Sequence, residues 1–343
     1  MSPPSVPPHE LSIERTEERW VVEDGRPRLL ELRAEAGRTR LAAGERTFHA
    51  ESTAFFPRAD RFGGAGDRIF SALLDSLPPA ARFHIRRVAI SREARADGSE
   101  PFRDATAFCT MRGEGGTLVL PLSIEAPDLL FEALDLLASG VAAERAEVHE
   151  LPVAWVRGTA AVLFHEVVGH PAESGAAPLR WPGWLRIVDD PARAGIGAMG
   201  FDDVGRRVAA ADLARGARPS AMRRESYRDE PLVRMTNLVV SGDSPSFALP
   251  EPRIEALLLG GGRWDPATDT VSIRVIRARR VAGAVASPLA PFTWRAPRVA
   301  VPSLLGGGGG AVEAYPGVLC ADEGQRIPVG SFASPVVTEA LPR

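Results

Sequence analysis

Apolar and polar residues partly alternate through the first third of the chain, and segments 27–37, 46–55, 84–92 and 105–112 are predicted strands. In the last of them the run Thr106-Ala107-Phe108-Cys109-Thr110-Met111-Arg112 ends at a turn on Glu114-Gly115-Gly116. Between the strands the period changes. Ile69, Phe70, Leu73, Leu74 and Leu77 recur on one face of a predicted helix from Asp67 to Leu77, which Pro78-Pro79 stops. A second helix is predicted from the capping Asp128, with Leu129, Leu130, Ala133, Leu134 and Leu137 on one stripe before Gly140.

A boundary falls near residue 150. Beyond it come a short strand, Pro152 to Arg157, a turn at Gly158-Thr159, and a helix that carries two histidines. The remainder reads as strand, for example Arg234 to Val240 and Ser272 to Arg277, with glycine clusters at Gly260–Gly262 and Gly306–Gly310; the five-glycine run is expected to be a loop, the alternative being a place where a backbone or ligand approaches closely. Residues 1–10 are proline-rich and expected to be disordered. The expected class is α+β: a smaller mixed N-terminal domain over 11–150 and a larger antiparallel β-rich C-terminal domain over 151–343.

Composition narrows what such a chain can do. The 343 residues are 45% hydrophobic and 25% charged, ordinary for a globular protein. A net charge of −3 provides no footprint for nucleic acid or an anionic membrane surface. All 41 basic residues are arginine, which excludes a lysine Schiff base and the lysine of a P-loop. Two cysteines, Cys109 and Cys320, are too few for a disulfide framework. Met1 to Pro8 has neither the basic nor the apolar region of a signal peptide, and no apolar run approaches the roughly 20 residues that span a bilayer. The expected location is the cytoplasm.

The densest chemistry lies in His165-Glu166-Val167-Val168-Gly169-His170. Two imidazoles beside a carboxylate suit a metal hydrolase: zinc accepts neutral histidine nitrogens, and the carboxylate can act as general base on activated water. On an ideal α-helix, residues five apart lie roughly 140° apart and would not converge on one ion. Metal binding therefore needs local widening such as a π-bulge, which Gly169 and Pro171 make plausible. The bland alternative is a pair of hydrogen-bonded core histidines. A metal would also need a third ligand. His9, His49, His84 and His149 carry no site context, whereas Cys320 sits in the glycine-flanked segment Tyr315 to Gln325.

Taken in order, these residues resemble the TldD/PmbA family of metallopeptidases, once described as modulators of DNA gyrase. The resemblance runs through Pro152 to Val156, Ala161 to Glu173, Val188 to Pro191, Gly200 to Gly205, and Arg234 to Asn237 with Gly242-Asp243. It continues in Gly260–Gly262, Cys320 with Gly324-Gln325, and Pro328 to Gly330, spanning about residues 150–335. It implies a zinc ion held by His165, His170 and Cys320, with Glu166 as the base. It also implies hydrolysis of unfolded or extended peptides, and a dimer in which a metal-bearing subunit pairs with its like or with a metal-free PmbA-like (TldE) subunit. The competing expectation is a non-catalytic, PmbA-like peptide-binding subunit in which zinc is structural. Around the site, Glu173 is either a partner of a histidine or a solvated helix-end residue. Arg234 and Asn237 either bind a peptide backbone or brace a strand. Asp189, Asp190, Asp202 and Asp203 read as loop and turn residues, and Cys109 as packing.

Overall fold

The computed structural model describes residues 10–24, 26–40, 45–52, 64–75, 77, 82–95, 102–113, 116–122, 146, 148–225 and 229–341. Of the disorder expected over residues 1–10 only Glu10 is described, and it opens a strand instead; the rest, and the helix expected from Asp128, fall outside the described residues.

The chain is strand-rich. Six strands form an antiparallel sheet in the order Glu45–Ser52, Arg26–Arg40, Glu10–Glu23, Phe83–Arg95, Phe102–Gly113, Gly116–Pro121. The four strands expected here are all present; Glu10–Glu23, whose glutamates and arginines interrupt any apolar run, and Gly116–Pro121 are two more that the sequence reading does not contain. A helix, Gly64–Asp75, starts three residues before the expected Asp67 and buries Phe70 and Leu73. Trp20 meets the Phe70 ring edge-on at 5.8 Å, and the Arg87 guanidinium lies 4.6 Å from its centre.

Apart from a two-stranded ribbon, Met222–Arg223 with Leu232–Val233, the described residues from Val153 onward build two further sheets. One runs in the order Glu313–Asp322, Gln325–Ala333, Asn237–Gly242, Leu185–Asp189, Ala211–Asp212. The other has seven strands and is centred on Val153–Trp155, flanked by Arg253–Asp265 and Val336–Thr338. Pairing is antiparallel as expected except at two places. Asn237–Gly242 runs parallel to Gln325–Ala333, and Val153–Trp155 runs parallel to Ile254–Ala256. Val153, Ala154 and Trp155 are all buried, the continuous apolar pattern of a strand covered on both faces. Trp155 crosses Trp294 edge-on at 5.6 Å and donates its indole N–H to Thr338 Oγ1 at 3.1 Å. One buried cluster extends from Val22, Phe70 and Met111 of the first sheet region to Trp155, Phe164 and Trp294.

Gly306–Gly310 corrects an expectation. Most of the run is a strand, Leu305–Gly308, paired with Val336–Thr338. A Cβ on Gly308 would come within 2.8 Å of the Trp184 ring, and one on Gly309 within 3.0 Å of Phe247. The glycines let a strand pass under two aromatic rings, where any side chain would collide.

Candidate metal centre

A buried helix, Ala160–Phe164, leaves the central strand through the turn at Gly158-Thr159 and lies between the five- and seven-stranded sheets. Its continuation, His165–Gly169, is a π turn, and α-helix resumes at His170–Ser174. The His170 N–H donates to the His165 carbonyl. The two histidines are therefore the ends of one i to i+5 hydrogen bond and fall on one face. Gly169 permits the turn to pack closely, since a Cβ there would overlap the Met235 thioether. The rings meet edge-on with centres 4.9 Å apart.

Cys320 reaches them from the hairpin of Glu313–Asp322 and Gln325–Ala333. Its Sγ is 3.1 Å from His165 Nε2 and 3.4 Å from His170 Nε2, and one donor atom from each of the three lies within 4.8 Å of the others. Zinc–nitrogen and zinc–sulfur bonds of about 2.0 and 2.3 Å at a tetrahedral angle put N and S roughly 3.6 Å apart. The observed spacings are close to that edge, and two imidazoles with a thiolate form a borderline-soft donor set. The residues fit zinc.

Glu166 is 3% exposed, and one of its oxygens, Oε2, accepts the Trp264 backbone N–H at 2.9 Å. Burial pushes its carboxyl up to about 7, and His170 and the Trp264 N–H only partly offset this. Its Oε2 is 3.8 Å from His170 Nε2. His165 is fully buried; desolvation first, then the charges of His170 and Arg234, hold it well below the usual range and hence neutral, as a ligand must be. On His170 burial works in the same direction but is outweighed by the hydrogen bonds to Cys320 and Glu173, so its basicity rises. Glu166, His165, His170 and Cys320 line a cleft of about 820 Å³ with Gly262 and Trp264.

Around these groups the structure decides between the paired readings. Glu173 is buried, and its Oε2 lies 3.1 Å from His170 Nδ1 while Oε1 accepts the Met235 N–H at 2.7 Å. It is a partner of the histidine, the arrangement that fixes which ring nitrogen faces a metal. Asn237 braces loops: Oδ1 accepts from Gly197 N, and Nδ2 donates to the Asp190 and Arg193 carbonyls. Asp202 accepts from Val204, Arg206 and Met222 backbone N–H groups, Asp203 from Arg224, and Asp189 from Thr236; Asp190 accepts from Ala192. These aspartates serve their own turns and neighbouring strands. Cys109 lies in the first sheet, where burial pushes its thiol up to about 12. The contact that sequence reasoning missed is Arg234, fully buried against Cys320. The sequence marks Arg234 as part of the Arg234–Asn237 segment, but nothing local in it points to Cys320.

This is a strand-rich α+β fold with a His–His–Cys group at the floor of a cleft, and it is the fold of TldD/TldE-type proteins. Over 97% of this chain and 95% of the other, it superimposes on TldE from Thermococcus kodakarensis at a TM-score of 0.61 and 12% identity. A proposed modulator of a DNA gyrase from Thermotoga maritima matches at 0.51, with 10% identity over 96% of this chain and 94% of that one. Another, from Bacteroides thetaiotaomicron, matches at 0.50, with 12% identity over 97% and 94%. No protein-family model and no curated protein matches the sequence. Among the described residues no helix is long and apolar enough to cross a membrane.

Proposed function

We propose that this chain is a zinc-dependent peptidase acting on unfolded or extended peptides. The observation that carries the reading is the pairing of a three-donor group with a separate carboxylate. His165, His170 and Cys320 offer the donors, and Glu166, beside them but held by Trp264, remains for proton transfer. Three protein donors leave a tetrahedral ion one open position, the pattern of catalytic rather than structural zinc. A zinc ion bound there supplies Lewis acidity toward a carbonyl and toward water. Glu166 takes the proton of the attacking water and returns it to the leaving amine, and its buried carboxyl, near 7, is matched to both steps at neutral pH.

The cleft suits an extended chain. The register between Arg253–Asp265 and Thr270–Ala282 shifts at a bulge between Leu259 and Gly262, and Gly261 and Gly262 line the cleft. An extended peptide lying there would be held through main-chain hydrogen bonds. The expected assembly is a homodimer or a heterodimer with a PmbA-like subunit, and two unpaired cysteines accord with a cytoplasmic place of action. A non-catalytic subunit is the second reading, favoured by the likeness to a protein named TldE. Glu166→Gln separates the two. Glutamine keeps the shape but cannot take the proton, so cleavage of unfolded peptides should fall by about 10²–10⁴-fold at unchanged zinc content. Equal cleavage by both proteins would remove Glu166 from the reaction, and peptide binding without cleavage by either would establish the non-catalytic subunit.

A further inference from the structure

Two of the three donors come from the π turn and the third from a distant hairpin, so something must hold the two elements in register. Arg234 lies at that junction with no exposure to solvent. Both of its guanidinium hydrogen bonds go to Cys320: Nη2 donates to Sγ at 2.5 Å and to the carbonyl oxygen at 3.1 Å. Its Nε is 3.4 Å from Glu173 Oε1, and the other oxygen of Glu173 faces His170. The next residue completes the clamp, because the Met235 N–H holds Glu173 and its side chain packs on Gly169. Nη1 and Nε make no hydrogen bond among the described residues.

A buried guanidinium with spare donors is a poor stabiliser of a fold. Apolar side chains of similar volume commonly serve as well or better. Its position has a chemical reason if the sulfur it faces carries negative charge.

Resting on the metal-centre reading above, we propose that Arg234 is a positioning residue of that centre. It holds the Cys320 sulfur and, through Glu173, holds His170, so that one cation registers donors from two elements. An N–H donating to sulfur also withdraws charge from it. The thiolate then gives less to the metal, which stays more electron-poor and polarises a carbonyl more strongly. Outer partners tune metal sites by this route.

The test is the absorption of cobalt(II)-loaded protein, which reports sulfur directly through its thiolate-to-cobalt charge-transfer band. In Arg234→Met the sulfur loses its N–H donor and its lone pairs rise in energy, so the band should move to longer wavelength. Loss of cobalt from a folded Arg234→Met protein would equally support the positioning role. If that variant does not fold, Arg234→Lys decides: its ammonium has a shorter reach and loses Sγ, and the band should again move to longer wavelength. A band at the wild-type position in the folded variant overturns the inference. A wild-type protein that binds cobalt without any such band would instead remove Cys320 from the centre, a failure of the functional reading itself.

Discussion

Replacing Gly262 by alanine tests whether the position of Glu166 is set by the strand beside it. A Cβ at Gly262 would stand 2.9 Å from both Cδ and Oε1 of Glu166 and nearer still to Cγ. Carbon atoms in contact rest about 3.5–4.0 Å apart. Alanine therefore demands a relative shift on the order of 1 Å. Neither side can give way freely. Glu166 is buried on the π turn, and the Trp264 N–H that holds its carboxylate belongs to the same strand as Gly262, two residues on. Moving the strand back lengthens that hydrogen bond, and moving the carboxylate takes the base off its line.

A 1 Å misplacement of a reacting group can lower a rate by about 10²-fold. We expect Gly262→Ala to lose roughly that factor in kcat on an unfolded peptide. Zinc per chain should be unchanged, because the three atoms nearest the new methyl all belong to Glu166, which is not one of the donors. The assay is steady-state cleavage followed by mass spectrometry, with metal content measured on the same sample. Full activity at full zinc occupancy would show that Glu166 is not confined as argued.

His165→Ala and Cys320→Ala should each lose most of the zinc, whereas Cys109→Ala, altered in the first sheet, should keep it; metal analysis of the three proteins decides, and a Cys320→Ala protein with full zinc would refute the donor set. Acid stability depends on Glu17, whose carboxyl burial works to raise but which Arg86, then Arg19 and Arg15, hold down at about 2 against its ordinary 4.5. A depressed folded-state value stabilises the fold above pH 4.5, by at most about 3 kcal/mol, and the contribution is lost as pH falls towards 2. The difference in unfolding midpoint between wild type and Glu17→Gln should therefore shrink across that window, and a constant difference would count against it.

Much of this was legible from residues alone where a local rule governed. Val153, Ala154 and Trp155 form a short apolar run that reads as a strand, which the structure buries on both faces, and the glycine and threonine at 158–159 mark where it turns into helix. Glu10–Glu23 was not legible, because Glu17 is stabilised by Arg86 from another strand and no local pattern reveals a partner 69 residues away. Gly306–Gly310 misled for a similar reason: what selects glycine there is Trp184 and Phe247, remote in sequence. The same holds for Arg234, whose meaning depends on a sulfur 86 residues further on.

The five-residue histidine spacing shows how these levels join. In an ordinary α-helix it would separate the rings, so the motif by itself argues against convergence as much as for it. The π turn reverses that, but π geometry is rare and needs support from its surroundings. Here the support is supplied by residues that also surround the His165, His170 and Cys320 group. Met235 packs on the Gly169 of the turn and its N–H fixes Glu173; Glu173 faces His170; Arg234 faces both Glu173 and Cys320. The interactions that would keep the turn open are thus the ones that would hold its histidines beside the cysteine. A structural role alone would require only that the turn be packed, which apolar contacts such as Gly169 with Met235 already achieve. The added chain of buried charge, arginine to glutamate to histidine on one side and arginine to sulfur on the other, would have its physical rationale in the cation proposed between them.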